Sequence, residues 1–210
     1  MIRKNLLLCK LIRIKTSSKS LFDSYMEQFR PQLETCPICG STGNCHIHDY
    51  YGRSLIDFRS GKKLEENLCI MRVFCDSCEH AHAILPDIIV PYSSHSLLFI
   101  LFILGEYFAG IRTAEQLCER FDVSQKQFHK WLKLWQSHKK QWLGILEDSE
   151  TGDIAFFRQL VLLDPYSSFS MEFIRLTARS FLQSHRNPVL TVPKNARYCQ
   201  RVFSPDIFLF

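Results

Sequence analysis

A chain of 210 residues can bury a substantial core, but it holds no more than one medium domain or two to three small ones. Hydrophobic residues at 46% and charged residues at 22% are ordinary for a globular protein and exclude disorder along the whole chain. The net charge of +5 is unevenly spread: residues 1–35 carry +4, residues 36–92 carry −2, residues 93–143 carry +3, and residues 144–210 are neutral.

Residues 1–35 read as a basic leader with a short helix. Met1-Ile-Arg-Lys and Leu6-Leu-Leu-Cys-Lys resemble the start of a signal peptide, but Lys10 and Arg13 interrupt the apolar run before it is long enough. Bulky Leu8 ahead of Cys9 also argues against a lipoprotein. A helix is expected from about Leu21 to Phe29, ended by Pro31. The basic part reads either as a loosely attached, solvated leader or as an arm for nucleic acid phosphates.

Residues 36–92 form the most chemically specific stretch. Cys36-Pro-Ile-Cys39-Gly40 is answered 35 residues later by Cys75-Asp-Ser-Cys78. Two such pairs bring four thiolates within reach of one tetrahedral Zn²⁺, each pair wrapping a tight turn. Pro37 stiffens the first turn and Gly40 frees its backbone, whereas Glu79 stands where the second turn would take a glycine. Four Cys ligands close the coordination sphere, so such a zinc is structural. Unrelated reduced cysteines are the plain alternative. Nine cysteines in all, an odd number in a long chain, point to a reducing cytoplasm rather than a disulfide framework. His46–Tyr51 and Leu55–Phe58 are short strand candidates, with turns at Gly52-Arg53 and Ser60-Gly-Lys-Lys. Leu68–Phe74 runs into the second knuckle and Ala81–Leu85 leads away, as in a zinc ribbon hairpin. Cys45, His46, His48, Cys69, His80 and His82 are extra ligand candidates, better suited to hydrogen bonding around the metal than to a second site or to a swap of His80 for one cysteine.

Residues 93–143 change to helical periodicity. The run Leu97–Leu104 is only eight residues long, far short of the roughly 20 a membrane span needs, and reads as a buried core helix. Two capping boxes then follow in quick succession, Thr113 with Gln116 and Ser124 with Gln127, separated by a turn at Asp122-Val123. Leu117, Phe121, Val123, Phe128 and Trp131 have the spacing by which a helix-turn-helix buries its inner faces, with small Cys118 allowing close approach. Asp122 occupies a turn position often held by glycine. The outward face of the second helix carries Ser124, Gln125, Lys126, Gln127, His129, Lys130 and Lys133, side chains suited to base edges and phosphates of duplex DNA. The other reading is a helical hairpin with a solvated basic face. Trp131, Trp135 and Trp142 have the spacing of a buried stripe rather than of a stacking platform.

Residues 144–210 carry less signal. An acidic link at Glu147–Asp153 precedes a helix over 154–163, a break at Asp164-Pro165, and an amphipathic helix over 170–183 that buries Phe173, Ile174, Phe181 and Leu182. Pro188, Pro193 and Pro205 and an apolar end, Ile207–Phe210, complete the chain. A DNA-cutting enzyme would need spaced carboxylates holding two Mg²⁺, for which only Asp153, Asp164 and Glu172 come late enough. Glycine-rich phosphate loops are absent from the sequence, and no enzymatic activity or small-molecule substrate is expected.

The succession CPICG, HIHDYYGR, RVFCDSCEHAHAILPDIIVPYSSHS and TAEQLCERFDVSQKQFHKWLKLW resembles uncharacterised, transposon-associated bacterial proteins that join a zinc ribbon to a helix-turn-helix. It is also similar to the N-terminal DNA-binding part of insertion-sequence transposases. His82-Ala-Ile-Leu-Pro86 and Pro91-Tyr92 are its most telling residues, and the resemblance covers about residues 20–143. It implies zinc on Cys36, Cys39, Cys75 and Cys78 and DNA contact from the helix after Ser124; it implies no activity, because the nuclease domain of such transposases is not expected in this sequence. The expected architecture is α+β: a small β zinc ribbon followed by an all-α helix-turn-helix unit and C-terminal helices. Duplex DNA is the expected partner, with a transposase or a second copy of the chain beside it. The alternative is a protein-interaction or accessory module, or a degenerate transposase remnant.

Overall fold

The computed structural model describes residues 2–4, 17–59, 61–145, 151–162, 166–177 and 179–185. Within them the chain is mixed α/β and runs β1 (Ile2–Lys4), α1 (Ser18–Gln28), β2 (Cys45–Arg59), β3 (Lys62–Cys75), β4 (His80–Pro86), α2 (Leu97–Phe108), α3 (Ala114–Phe121), α4 (Gln125–Ile145), α5 (Asp153–Leu162) and α6 (Tyr166–Thr177). Cys9, the acidic residues 147–150, Asp164-Pro165, the three late prolines and the apolar end lie outside the described residues.

The sheet is built on one long hairpin rather than on several short strands. β2 and β3 pair antiparallel from Cys45↔Cys75 to Arg59↔Lys62, with a register shift between Ile47 and Asp49. Gly61, at φ 76°, lies in a turn where one is expected, between the end of β2 and the start of β3. Gly52-Arg53 is no turn: β2 passes straight through, with Gly52 opposite Cys69. A side chain at Gly52 would meet nothing within 4 Å, so glycine there marks an exposed stretch rather than a bend. β4 pairs antiparallel with the Cys75 end of β3, β1 adds in parallel to β4 across Ile2↔Ile84 to Lys4↔Pro86, and the strand order is β1-β4-β3-β2.

Alternation along β3 sends Leu68 and Ile70 inward while Asn67 and Cys69 face solvent. α1 covers this face. Phe22 packs with Leu55, Leu68, Ile70 and Leu85, and Phe29 packs with Met71, Val73 and Ile84 nearer the cysteines. Complete burial of a side chain such as Phe22 contributes about 2 kcal/mol.

A buried carboxylate joins the sheet to both flanking helices. Asp57 on β2, 1% exposed, accepts hydrogen bonds from the Ser18 amide in the first turn of α1 (2.6 Å) and from the hydroxyl of Ser96, the N-cap of α2 (2.7 Å). Ser96 in turn accepts from the Phe99 amide. One negative charge thus serves the positive ends of two helices.

The largest core lies among α2 to α6, around Phe99, Phe121, Phe128, Trp131, Trp135 and Phe173. The apolar run of α2 is buried in it, and among the described residues no helix is long and apolar enough to cross a membrane. Gly105 lets the Phe157 ring lie directly on α2, since a β-carbon there would stand 2.5 Å from that ring. Trp131 and Trp135 are fully buried, and Trp142 packs at the edge of the same core against Phe169. The last helix is shifted from its expected bounds: α6 stops at Thr177, whose hydroxyl turns back to the Phe173 carbonyl while accepting from the Arg179 amide. Phe181 and Leu182 are nonetheless buried, carried there by a turn rather than a helix.

Candidate metal centre and basic helix face

Cys36, Cys39, Cys75 and Cys78 come together with all four sulfurs within 4.8 Å of one another, a group able to hold a metal ion. Cys36 Sγ stands 3.6 Å from Cys78 Sγ, and Cys39 Sγ 3.7 Å from Cys75 Sγ. These spacings are far longer than a disulfide bond of about 2.05 Å and suit ligands arranged around one ion. The two knuckles are built alike. The Gly40 amide donates to the Cys36 carbonyl (2.9 Å), and the Glu79 amide donates to the Cys75 carbonyl (2.8 Å). Gly40 has φ 74° and Glu79 φ 57°, so the second knuckle makes the same left-handed turn with a residue that resists it. Asn44 ties the knuckles together by donating to Ser41 and Ser77.

Cys36 and Cys75 are buried, while Cys39 and Cys78 lie nearer solvent. Burial opposes ionisation of Cys75, but the Ser77 amide and the Cys36 and Cys39 thiols outweigh it and bring this thiol down to about 7. Burial and then Cys36 push Cys78 up to about 12.

His82, 2% exposed, places Nε2 3.4 Å from Cys36 Sγ, where a ring N–H can donate to a thiolate. Burial holds His82 neutral, with its pKa pushed down to about 4. The remaining ligand candidates are elsewhere: His80 is exposed and donates to the Cys78 carbonyl, His46 meets Asp76, His48 lies against Phe74, and Cys69 is exposed. Cys45 is buried beside the cluster but does not join it, and burial raises its thiol to about 11. Among the described residues the four-cysteine group is the single cluster of this kind.

At the other end of the hairpin, α3 and α4 are joined by the tight turn Asp122–Ser124. Thr113 and Gln116 make both bonds of a capping box, and the Ser124 hydroxyl accepts from the Gln127 amide. Asp122 adopts φ 49° as the C-cap of α3, and its carboxylate pairs with Lys63 at the hairpin tip (2.9 Å). Leu117, Cys118, Phe121, Val123, Phe128 and Trp131 are buried as their spacing requires. From Lys63 to Cys75 the strand covers about 40 Å at about 3.3 Å per residue, so the cysteine cluster and the α3–α4 turn stand at opposite ends of β3.

Ser124, Gln125, Lys126, His129, Lys130 and Lys133 are exposed on the first turns of α4, with Gln127 half-buried. Together with Leu134 and Ser184, most of these residues line an open groove along the helix. Lys139, further along α4, is taken up by Asp153 (2.7 Å), which also accepts from Trp135. Asp153 therefore ties α5 to α4, and Glu172 pairs with Arg175 on its own helix. Arg53 stands in strand β2 rather than in a turn, and Tyr92, which belongs to the resemblance, had no expected role in binding. Arg53 donates to the Val90 and Ser93 carbonyls, and Tyr92 forms one lip of a second, smaller groove with Gln127 and Lys130.

A family model described as a domain of unknown function (DUF6431) matches residues 36–121. The matched stretch holds all four cysteines, the β2–β4 sheet, α2 and α3, and ends before α4. Neither the comparison with curated proteins nor that with solved structures finds a match.

Proposed function

We propose that this chain binds duplex DNA with the first turns of α4, using α3, the Asp122 turn and α4 as a helix-turn-helix, and that zinc on the four cysteines is a structural clamp. The observation that carries the reading is the exposed set Ser124, Gln125, Lys126, His129, Lys130 and Lys133 on a helix with no acidic residue from Ser124 to Ile145. Lysines there suit phosphates, and glutamine amides suit adenine edges in the major groove. The helix N-terminus adds a partial positive charge on the same side. The resemblance to insertion-sequence transposase DNA-recognition regions supports the same use, and a cytoplasmic protein of a mobile element fits it.

Zinc is the metal this donor set favours. A tetrahedron with Zn–S distances of about 2.3 Å has edges of about 3.8 Å, close to the observed 3.6 and 3.7 Å. Four sulfur ligands leave no open position for water, so its chemistry there is structural. The cysteines act at a distance from DNA, by holding the base of the hairpin whose tip meets the α3–α4 turn. No catalytic step is assigned to the chain.

A second reading, a protein-interaction or accessory module, is favoured by one observation: Ile47, Tyr50 and Tyr51 are exposed on the outer strand β2. Retention of a mixed-sequence duplex by the purified, metal-loaded chain at low salt tests the first reading. Failure to retain any duplex, together with self-association in sedimentation, would favour the second.

A further inference from the structure

The loop 91–95 beside α4 is held as a rigid shelf. Arg53 donates to the carbonyls of Val90 and Ser93 at its start, and the Ile56 amide donates to the Ser94 carbonyl (2.6 Å). The Ser96 amide returns to the Ile56 carbonyl, and the His95 ring packs edge-on against Trp131 of α4 at 4.9 Å. The shelf is therefore fixed both to β2 and to the helix proposed to meet DNA.

On this shelf Tyr92 has φ 58°, in the left-handed region that glycine or asparagine enters far more easily, and the residue is 58% exposed. The strained backbone is not repaid by burial of the ring. Strain retained at an exposed position points to a use for that side chain. Tyr92 lines the smaller groove together with Gln127, Lys130 and Ser184, with His185 edge-on to its ring at 5.8 Å.

We propose that Tyr92 is a second DNA-contact residue, lining from the loop the same groove that Lys130 lines from α4, so that both hold one sugar–phosphate strand. Its hydroxyl donates to a phosphate oxygen and its ring rests against deoxyribose, contacts that position a duplex without reading its bases. This rests on the DNA reading of α4.

The test compares the wild-type chain with Tyr92→Gly, Tyr92→Phe and Lys130→Ala, using a fluorescent mixed-sequence duplex of about 25 base pairs in anisotropy titrations, with thermal midpoints measured on the same samples. Tyr92→Gly is expected to keep or raise the midpoint, because glycine relieves the left-handed strain, while weakening binding by about 5- to 30-fold, the range for losing one hydrogen-bonded, packed contact. Tyr92→Phe falls between it and wild type. Tyr92 carries no charge, so its variants leave the salt slope of binding unchanged, whereas Lys130→Ala lowers that slope by about 0.9. Unchanged binding by Tyr92→Gly, with Lys130→Ala impaired, overturns this inference alone. A lowered midpoint for Tyr92→Gly that accounts for its lost binding also overturns it, since the residue would then be structural. A wild-type chain that binds no duplex overturns both this inference and the reading of α4.

Discussion

The two knuckles make the same demand on one backbone position and fill it with different residues, so substitutions there isolate the cost of the left-handed turn. Gly40 at φ 74° and Glu79 at φ 57° follow the second cysteine of their pairs in matching geometry. A side chain at Gly40 would meet nothing within 4 Å, so Gly40→Ala is penalised through backbone conformation alone. An L-residue costs about 1–2 kcal/mol in this region, offset by about 0.5–1 kcal/mol for the larger entropy glycine loses on folding. Gly40→Ala should therefore destabilise by about 1 kcal/mol and Glu79→Gly should stabilise by a similar amount. For a chain of this length that is about 2–4 °C in thermal midpoint, in opposite directions. Glu79→Gln controls for removing a carboxylate beside the thiolates, because it keeps the strained conformation. Thermal melts of metal-loaded protein at fixed metal concentration read the three variants. Equal midpoints for Glu79→Gly and Glu79→Gln would refute the conformational argument and assign the effect to charge.

Asp57→Ala leaves the Ser18 amide and the Ser96 hydroxyl without their acceptor, and should lower stability by about 2–4 kcal/mol in urea unfolding with an unchanged m-value. Asp57→Asn keeps an acceptor oxygen and should lose less. His138 is fully buried, its Nδ1 accepts from the Leu182 amide, and burial pushes its pKa down to about 4 from 6.5. The unfolded chain therefore binds this proton between those values while the folded chain does not. Stability is complete above about pH 6.5 and falls on acidification toward pH 4, by up to about 1.4 kcal/mol per pH unit from this group. His138→Gln should flatten that slope in urea titrations at several pH values, and an unchanged slope would remove His138 from the account. Cys78→Ser, or chelation, should release about one zinc per chain and loosen the small core of Phe29, Met71, Val73 and Ile84, while Trp131 and Trp135 keep their buried emission. Metal content below about one per freshly purified wild-type chain would contradict the ligand set.

Local signals in the sequence carried far, and long-range ones did not. The cysteine pairs, the Thr113 capping box, the left-handed Asp122 and the buried Leu97–Leu104 helix depend on residues close in sequence, and each falls where spacing put it. His46–Tyr51 and Leu55–Phe58 do lie in strand, but as two parts of one continuous β2, and its continuity is not legible locally because Gly52 imitates a turn. Asp57 and Arg53 were overlooked because their partners lie 37 to 40 residues away, at separations that no local pattern records. Pro91-Tyr92 carries part of the family resemblance, but a binding role for Tyr92 is not legible in the sequence; its backbone angle and the groove it lines with Lys130 come from the fold.

The central claim is DNA contact by the first turns of α4, and the salt dependence of duplex affinity tests it most directly. If Lys126, Lys130 and Lys133 each neutralise one phosphate, they contribute a slope of about −2.7 in log K against log salt, an affinity loss of about 40-fold between 50 and 200 mM. Replacing the three lysines by alanine should remove that share of the slope while leaving the thermal midpoint within about 1 °C, because the side chains are exposed. Wild-type and triple-variant chains that bind duplex with the same slope would contradict the account, because the contact would then lie elsewhere on the molecule.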